Sequence, residues 1–377
     1  MKPQIPTPTP FANWPDTLID PARFRDEQAR LARIWTFLGF THDVAKDGDW
    51  FRATIATRSV FVQRLGELRG FENRCAHRSF PLRNADKGNG PIVCGFHHWR
   101  YDKNGEVVDI PQCALFGPSP SELAARLNPI EIDTCGSLIF GRFAPPGSGP
   151  SLRLYLGESF DILAAISATS VAPRFVTRSV EANWRLCFHA NVEDYHGPII
   201  HARTLGKSGY PRPERTHYFR FGWHSAFFAN PDPDGLTRMA AECRTGTWRS
   251  ANYRVFQIFP DLTVSHERVH WENWFVVVVQ YAPVSPSRSV MRAWYYRAPF
   301  PPRVPPPWYD RLTRPLTNLV RRLVMPYLVR MVLDEDNFVC ERQQSIAQQL
   351  SPAPILGALE ERLAWYEEAY AEAMRAS

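Results

Sequence analysis

Two short segments, Asn73-Arg74-Cys75-Ala76-His77-Arg78 and Cys94-Gly95-Phe96-His97-His98-Trp99-Arg100-Tyr101-Asp102, decide how the first part of this chain is read. Each pairs one cysteine with one histidine, as Cys-x-His and Cys-x-x-His, and 16 residues separate His77 from Cys94. Short runs rich in Val, Ile and Phe, such as Thr54-Ile55 and Val60-Phe61-Val62, surround them. The turn signals Leu68-Arg69-Gly70, Asn89-Gly90 and Asn104-Gly105 break these runs, which is the pattern of a small antiparallel β domain. Asn104-Gly105 reads as a hairpin turn because both residues tolerate positive φ. Each Cys–His pair then sits between strands, where a loop tip can present ligands.

Outward from these segments the pattern changes twice. Asp20-Pro21 is a helix start, and Phe24, Leu31, Ile34, Trp35 and Leu38 recur at helical spacing. Pro145-Pro146-Gly147-Ser148-Gly149-Pro150 is the clearest linker. Three segments follow: an N-terminal helical segment over 1–38 that packs on the last domain, the β domain over 39–148, and a second domain over 149–377. In the last, Phe256 to Phe259, Trp274 to Tyr281 and Met291 to Arg297 read as strands, the second apolar enough for burial on both faces. A Pro-rich loop, Pro299 to Pro307, leads into helical sequence that runs to the end with breaks. Leu323 to Leu333 is apolar but short and interrupted by Pro326 and Arg330, so a buried helix is expected there, not a membrane span.

Composition narrows the class. The 377 residues suit two domains, and 44% hydrophobic with 22% charged residues is ordinary for a soluble globular chain. The net charge of +6 comes from dispersed Lys and Arg, which argues against nucleic-acid binding. It leaves a solvated basic surface or a face for an acidic electron-transfer partner. Met1 to Pro15 lacks the features of a secretory signal, and seven cysteines do not suggest a disulfide framework, so a cytoplasmic protein with reduced thiols is expected.

Two thiolates and two imidazoles, one of each per loop, suit a [2Fe–2S] cluster with the thiolates on one iron and the imidazoles on the other. Zinc accepts the same ligands, although its motifs more often place both cysteines in one cluster. With their flanks, the two segments closely resemble the Rieske motif of ring-hydroxylating oxygenases. The resemblance implies Cys75, His77, Cys94 and His97 as cluster ligands. His98 stands where that family usually has glycine, and is read as a surface residue or a neighbour of the cluster.

A second constellation lies beyond the linker: Asn183-Trp184-Arg185-Leu186, then Glu193-Asp194-Tyr195-His196-Gly197-Pro198-Ile199-Ile200-His201. Taken alone, two histidines five apart are a weak sign, since such residues more often satisfy local hydrogen bonds. They can converge on one metal if the helix loosens at Gly197-Pro198. Iron(II) that activates dioxygen needs two imidazoles and one carboxylate on a single face. The best source of the carboxylate is the run Asp334-Glu335-Asp336. Rieske oxygenases carry their C-terminal ligand in an Asp followed by Glu five, and Gln eight, residues later. That resemblance implies Asp336, with Glu341 and Gln344 matching, and leaves Asp334 as the fallback. It also puts the family's bridging acid at Glu193, which would link a cluster histidine of one subunit to His196 or His201 of its neighbour. Asp194 competes for that role. Most members have Asp there, and Glu is typical of a subset that includes enzymes acting on quaternary ammonium compounds. Ala190 stands where many members have an Asn near the iron; whether Asn191 substitutes is open.

The resemblance runs from the Phe24 helix to Gln344. It implies an α+β chain: an antiparallel β Rieske domain, then a helix-grip-like catalytic domain with a curved antiparallel sheet and surrounding helices. It further implies a homotrimer and electrons from an NAD(P)H-dependent reductase or a ferredoxin. The activity implied is hydroxylation by O2, as a mono- or dioxygenase, of a small aromatic or heterocyclic compound at a mononuclear non-haem Fe(II). Oxidation or demethylation of a quaternary ammonium or other alkylated substrate is the alternative. Two rivals of other classes remain, a Rieske electron carrier without oxygenase activity and a zinc-stabilised binding module. His42, His189, His217, His224, His266 and His270 are read as structural, and Cys113, Cys135, Cys187, Cys243 and Cys340 as small apolar residues. Some tryptophans between Trp223 and Trp294 could wall a substrate pocket.

Overall fold

The computed structural model describes residues 2–7, 11–116, 119, 122–145, 147–204, 215–230, 232–270, 273–303 and 310–375. Pro146, Trp271 and 304–307, together with the side chain of His270, lie outside the described residues. The chain divides into two compact units, Leu31–Tyr155 and Met1–Arg30 with Leu156–Ser377.

Helix α1 (Pro21–Leu31) begins as expected. Pro21 fits the first turn, where its missing N–H costs nothing, and Asp20 Oδ1 accepts from the Ala22 amide at 2.7 Å. The helical spacing that continued to Leu38 is overturned: Trp35 lies in the connection just ahead of strand β1 (Thr36–Phe40) and Leu38 within that strand. All five residues of β1 are buried, so the strand has no alternation to separate it from a helix. Strands β2 (Asp49–Ile55), β3 (Arg58–Leu65), β4 (Glu67–Glu72) and β5 (Lys87–Asn89) follow. Then come β6 (Ile92–Val93), β7 (Arg100–Tyr101), β8 (Val107–Asp109), β9 (Glu131–Cys135) and β10 (Leu138–Arg142). They form three antiparallel sheets, ordered β1-β10-β9, β4-β3-β2-β5 and β6-β7-β8.

Two of the turn readings need correction. The chain reverses at Gly66 (φ +78°), while Leu68-Arg69-Gly70 lies inside β4. Gly70 is there for close approach, since a Cβ would come within 2.5–2.7 Å of Ile130 and Ile132 side-chain atoms. In the β7–β8 hairpin only Gly105 takes positive φ (+80°). Asp102 makes the rest of that turn, its Oδ1 accepting from the amides of Asn104 (2.8 Å) and Glu106 (2.9 Å).

The second unit continues with α2 (Leu152–Leu156, across the unit boundary), α3 (Ser159–Ser167), β11 (Arg174–Val180), α4 (Trp184–Val192) and the one-turn helix α5 (Gly197–Ile200). Next come β12 (His217–Phe221), β13 (His224–Phe228), α6 (Gly235–Thr245), β14 (Arg254–Ile258), β15 (Leu262–His270), β16 (Asn273–Ser285) and β17 (Arg288–Arg297). The long helix α7 (Asp310–Gln344) and α8 (Glu361–Arg375) close it. The seven strands form one antiparallel sheet, β11-β17-β16-β15-β14-β13-β12. The apolar run of β16 is buried throughout from Val276 to Ala282, as its sequence requires. The Leu323 to Leu333 segment is helical but not buried all round: Met325, Val329 and Leu333 face inward, while Leu323, Val324, Tyr327 and Met331 are exposed. Its apolar residues cover both faces, so composition alone could not show which face packs. Among the described residues no helix is long and apolar enough to cross a membrane.

Candidate metal centres

Cys75 and Cys94 lie in two loops of matching design. In the first, the Cys75 amide donates to Phe80 O (2.9 Å) and Ser79 N to Cys75 O (3.0 Å). In the second, the Cys94 amide donates to Trp99 O and His98 N to Cys94 O, both at 2.9 Å. Each loop turns through a left-handed residue, Ser79 (φ +62°) and His98 (φ +59°). That gives a physical reason for glycine at the position of His98, whose side chain is exposed. Asn73 and Arg83 tie the base of the first loop by reciprocal bonds of 2.8 Å.

Both thiols are buried in the core of this unit, and Cys94 lies against Cys75. The imidazoles sit further out, their ring centroids 4.7 Å apart, with His77 stacked on Trp99. Burial pushes the Cys75 thiol up, opposed by the Tyr101 hydroxyl 3.0 Å from its sulfur. Among the described residues, the buried Nδ1 of His97 has no hydrogen-bond partner. Two thiols together, two imidazoles together and an orphaned ring nitrogen fit a cluster with one iron per ligand pair.

In the second unit, Asn183 caps α4 by accepting from the Arg185 amide (2.9 Å), and α4 ends at Val192. After a three-residue bend, α5 completes a single turn with His196 and His201 as its caps and Pro198 in its first turn. That short turn brings the two rings together. Helix α7 is held against the start of α4 by Gln344, which accepts from the Asn183 amide (3.0 Å), and against β11 by Glu341, which binds Arg178 (3.1 Å).

Among the described residues, His196, His201 and Asp336 are grouped closely enough to hold one metal ion. His196 Nε2 and His201 Nε2 lie 3.3 Å apart, and they stand 3.3 Å and 3.0 Å from Asp336 Oδ1. Donors at about 2.1 Å from one ion and at right angles to each other are about 3.0 Å apart. His196 Nδ1 donates to Glu193 Oε1, and His201 Nδ1 donates to Glu335 Oε2 at 2.8 Å. An ionised carboxylate only accepts, so each Nδ1 carries the proton and each Nε2 presents a lone pair. The buried Oδ1 of Asp336 has no aligned donor. Three lone pairs facing one point repel unless a cation sits there, so the donor set fits a metal ion. In a metal-free site a proton relieves the same crowding. Burial opposes charge on His196, but Asp336 and Glu193 outweigh it and raise that imidazole to about 10. Burial likewise acts to raise Asp336, and the two imidazoles overcome it and hold the carboxyl low.

The competing acids are separated by their partners. Asp194 is engaged elsewhere, accepting from Arg362 (2.8 Å) and Tyr218 (3.0 Å). Asp334 pairs with Arg178 at 2.7 Å. Asn191 gives its amide to Cys187 O (3.1 Å) and the Tyr281 hydroxyl (3.5 Å). The reading from sequence missed Glu335, which also accepts from Thr204 (2.6 Å); the only sign of it was its place between Asp334 and Asp336.

A cavity of about 280 Å³ adjoins the triad, between the inner face of β14–β16 and the Met325–Asp336 stretch of α7. Val255, Val277, Val279, Leu328, Val329 and Val332 supply most of its apolar wall. None of the described tryptophans between Trp223 and Trp294 lines it, contrary to expectation. Trp248 and Trp274 instead pack on His266.

Residues 161–376 match the family model of the ring hydroxylating alpha subunit (catalytic domain), and residues 34–120 match that of the Rieske [2Fe–2S] domain. The large oxygenase component of the naphthalene 1,2-dioxygenase system of Pseudomonas fluorescens is 33% identical over 186 residues, 46% of this chain and 40% of that protein. The glycine betaine monooxygenase oxygenase subunit of Chromohalobacter salexigens is 28% identical over 317 residues, 75% of this chain and 69% of that one. The match thus spans less than two thirds of the naphthalene relative's length. The crystal structure of naphthalene 1,2-dioxygenase from Rhodococcus sp. bound to indole shares the fold, with a TM-score of 0.69 at 18% identity over 94% of both chains. Together with the two ligand constellations, these matches show that the chain belongs to the ring-hydroxylating alpha-subunit family of Rieske oxygenases, whose cofactors are a Rieske [2Fe–2S] cluster and a mononuclear iron.

Proposed function

We propose that this chain is the terminal oxygenase component of a Rieske non-haem iron system that hydroxylates a small organic substrate. The observation that carries the reading is the convergence of His196 Nε2, His201 Nε2 and Asp336 Oδ1 beside an apolar cavity. These three residues would hold the mononuclear iron, and Cys75, Cys94, His77 and His97 the cluster. When bound, the iron supplies dioxygen activation and the cluster supplies electrons. Glu193 and Glu335 fix the tautomer and aim of the ligating imidazoles. The valine and leucine walls exclude water and hold the carbon skeleton of the substrate. Electrons would come from an NAD(P)H-dependent reductase or a ferredoxin. In a homotrimer, Glu193 would also face a cluster histidine of the neighbouring subunit.

An aromatic or heterocyclic substrate is the first reading, supported by the apolar walls and by the likeness to the naphthalene enzyme. A quaternary ammonium or otherwise alkylated substrate is the second, supported by Glu at position 193 and by the likeness to the glycine betaine enzyme. Iron analysis tests the oxygenase reading: three irons per chain are expected, against two for an electron carrier. His196→Ala should lose one iron and all turnover while the reduced cluster keeps its EPR signal. Normal product formation by that variant would overturn the assignment.

A further inference from the structure

Strand β15 turns alternate residues, Thr263, Ser265 and Glu267, into the cavity beside the triad. The other carboxylates that line it are engaged: Glu193 and Asp336 with the imidazoles, and Asp194 with Arg362. Glu267 is different. Its hydrogen bond comes from the Ser265 hydroxyl at 3.1 Å, and among the described residues no Lys or Arg forms an ion pair with it. Arg268, next on the strand, is exposed and lines the same cavity. The antiparallel register sets Phe275 of β16 opposite Glu267, and Tyr253, just ahead of β14, lines the same cavity. A carboxylate desolvated among Val, Leu and Met side chains is costly unless a partner arrives with the ligand. Burial pushes the Glu267 carboxyl up, opposed only by the Ser265 hydroxyl, and a cation against it would recover the charged form.

The geometry points to Glu267 as a specificity-determining residue that anchors a substrate carrying a protonated or quaternary nitrogen on an otherwise apolar body. This rests on the proposed reading, in which the cavity beside the triad is the substrate site. The carboxylate meets the cation, the neighbouring aromatic rings favour it further, and the aliphatic walls take the hydrocarbon part. A neutral hydrocarbon would leave the half-buried Glu267 carboxylate without a cation to meet it, so the site discriminates against it.

The test is calorimetric titration of the holoprotein with two matched probes, 3-phenylpropylammonium and the neutral 3-phenylpropanol, with iron content measured on the same preparation. A charge-assisted hydrogen bond predicts that the ammonium binds about tenfold or more tightly than the alcohol. Glu267→Gln, which keeps size and removes charge, should abolish that preference and change alcohol binding by less than about twofold. Equal binding of the two probes by the unmodified protein overturns the inference whether or not the variant folds. So does a preference that survives in Glu267→Gln. Three irons per chain without an ammonium preference would refute the role of Glu267 and leave the oxygenase reading standing. Two irons with the preference intact would do the reverse.

Discussion

Asp194 and Glu193 are neighbours in sequence, and truncating each should give opposite phenotypes. The Arg362 side chain is fully buried, and its guanidinium meets Asp194 at 2.8 Å. It also donates to Gln257 Oε1 and lies over the Tyr218 ring at 4.9 Å. Asp194→Ala therefore strands a buried guanidinium and leaves the Tyr218 hydroxyl with only the Leu359 carbonyl, at 3.2 Å. Breaking one side of a buried pair costs about 3–5 kcal/mol. At about 2–4 °C per kcal/mol for a unit of this size, the melting temperature should fall by about 6–20 °C. Glu193 accepts from the amides of Tyr195 (2.5 Å) and His196 (3.2 Å) as well as from the His196 ring. Losing those turn-capping bonds costs about 0.5–2 kcal/mol, so Glu193→Ala should melt within about 8 °C of the unmodified protein. Its main effect should be on the metal, since removing a carboxylate that orients a ligating histidine weakens metal affinity about 10- to 100-fold. Scanning calorimetry and iron analysis on both variants separate the two roles. If Asp194→Ala melts within about 2 °C of the unmodified protein but loses the mononuclear iron, the assignment of roles is wrong.

Three further outcomes are expected. Burial raises the carboxyl of Asp261 to about 7 from an ordinary 3.8, so between those values the folded chain keeps a proton that the unfolded chain has lost. Its contribution to stability therefore falls as pH rises through that window. Asp261→Asn should be more stable than the unmodified protein at pH 8, with the gap closing by pH 4; parallel denaturant titrations that show no such divergence reject the argument. Gly70→Ala drives a methyl to within 2.5–2.7 Å of Ile130 and Ile132 and should destabilise the first unit by about 1–3 kcal/mol. Ile132→Val should restore part of that loss in the double variant, and additive losses would count against overpacking. Tyr101→Phe removes the hydroxyl 3.0 Å from Cys75 Sγ, whose hydrogen bond favours the more electron-rich reduced cluster. Protein-film voltammetry should show a lower reduction potential with the Rieske EPR signal retained, and an unchanged potential would discount that bond.

Parts of this protein were legible because the determinants are local. Asp20-Pro21 starts a helix through contacts with its own next residues, and Asn104-Gly105 marks a reversal for the same kind of reason. Strand β1 reads as a continuation of the helix because full burial erases the alternation by which a strand is recognised. Gly70 reads locally as a turn residue because its real constraint, the Ile130 and Ile132 side chains, lies some sixty residues away in the chain.

The candidate sites divide in the same way. Each Cys–His loop closes on its own main chain, Cys75 to Phe80 and Cys94 to Trp99, so a local motif with its flanks marks the candidate ligands. His196 and His201 cap one short helical turn, again a local arrangement. The acids were a different problem. Successive residues of a helix point about 100° apart, so Asp334, Glu335 and Asp336 look alike in sequence yet face three different partners. Asp334 meets Arg178, Glu335 meets His201 Nδ1, and Asp336 meets the two Nε2 atoms. Likewise Glu193 turns to His196 while Asp194 turns to Arg362, and Glu267 acquires meaning only from the cavity that β15 and α7 enclose. Residue types and local spacing mark the candidate ligands. Which carboxylates face the imidazoles and which are spent on arginines follows from the packed chain, because a carboxylate's role depends on the charge it faces, and that charge comes from distant parts of the chain.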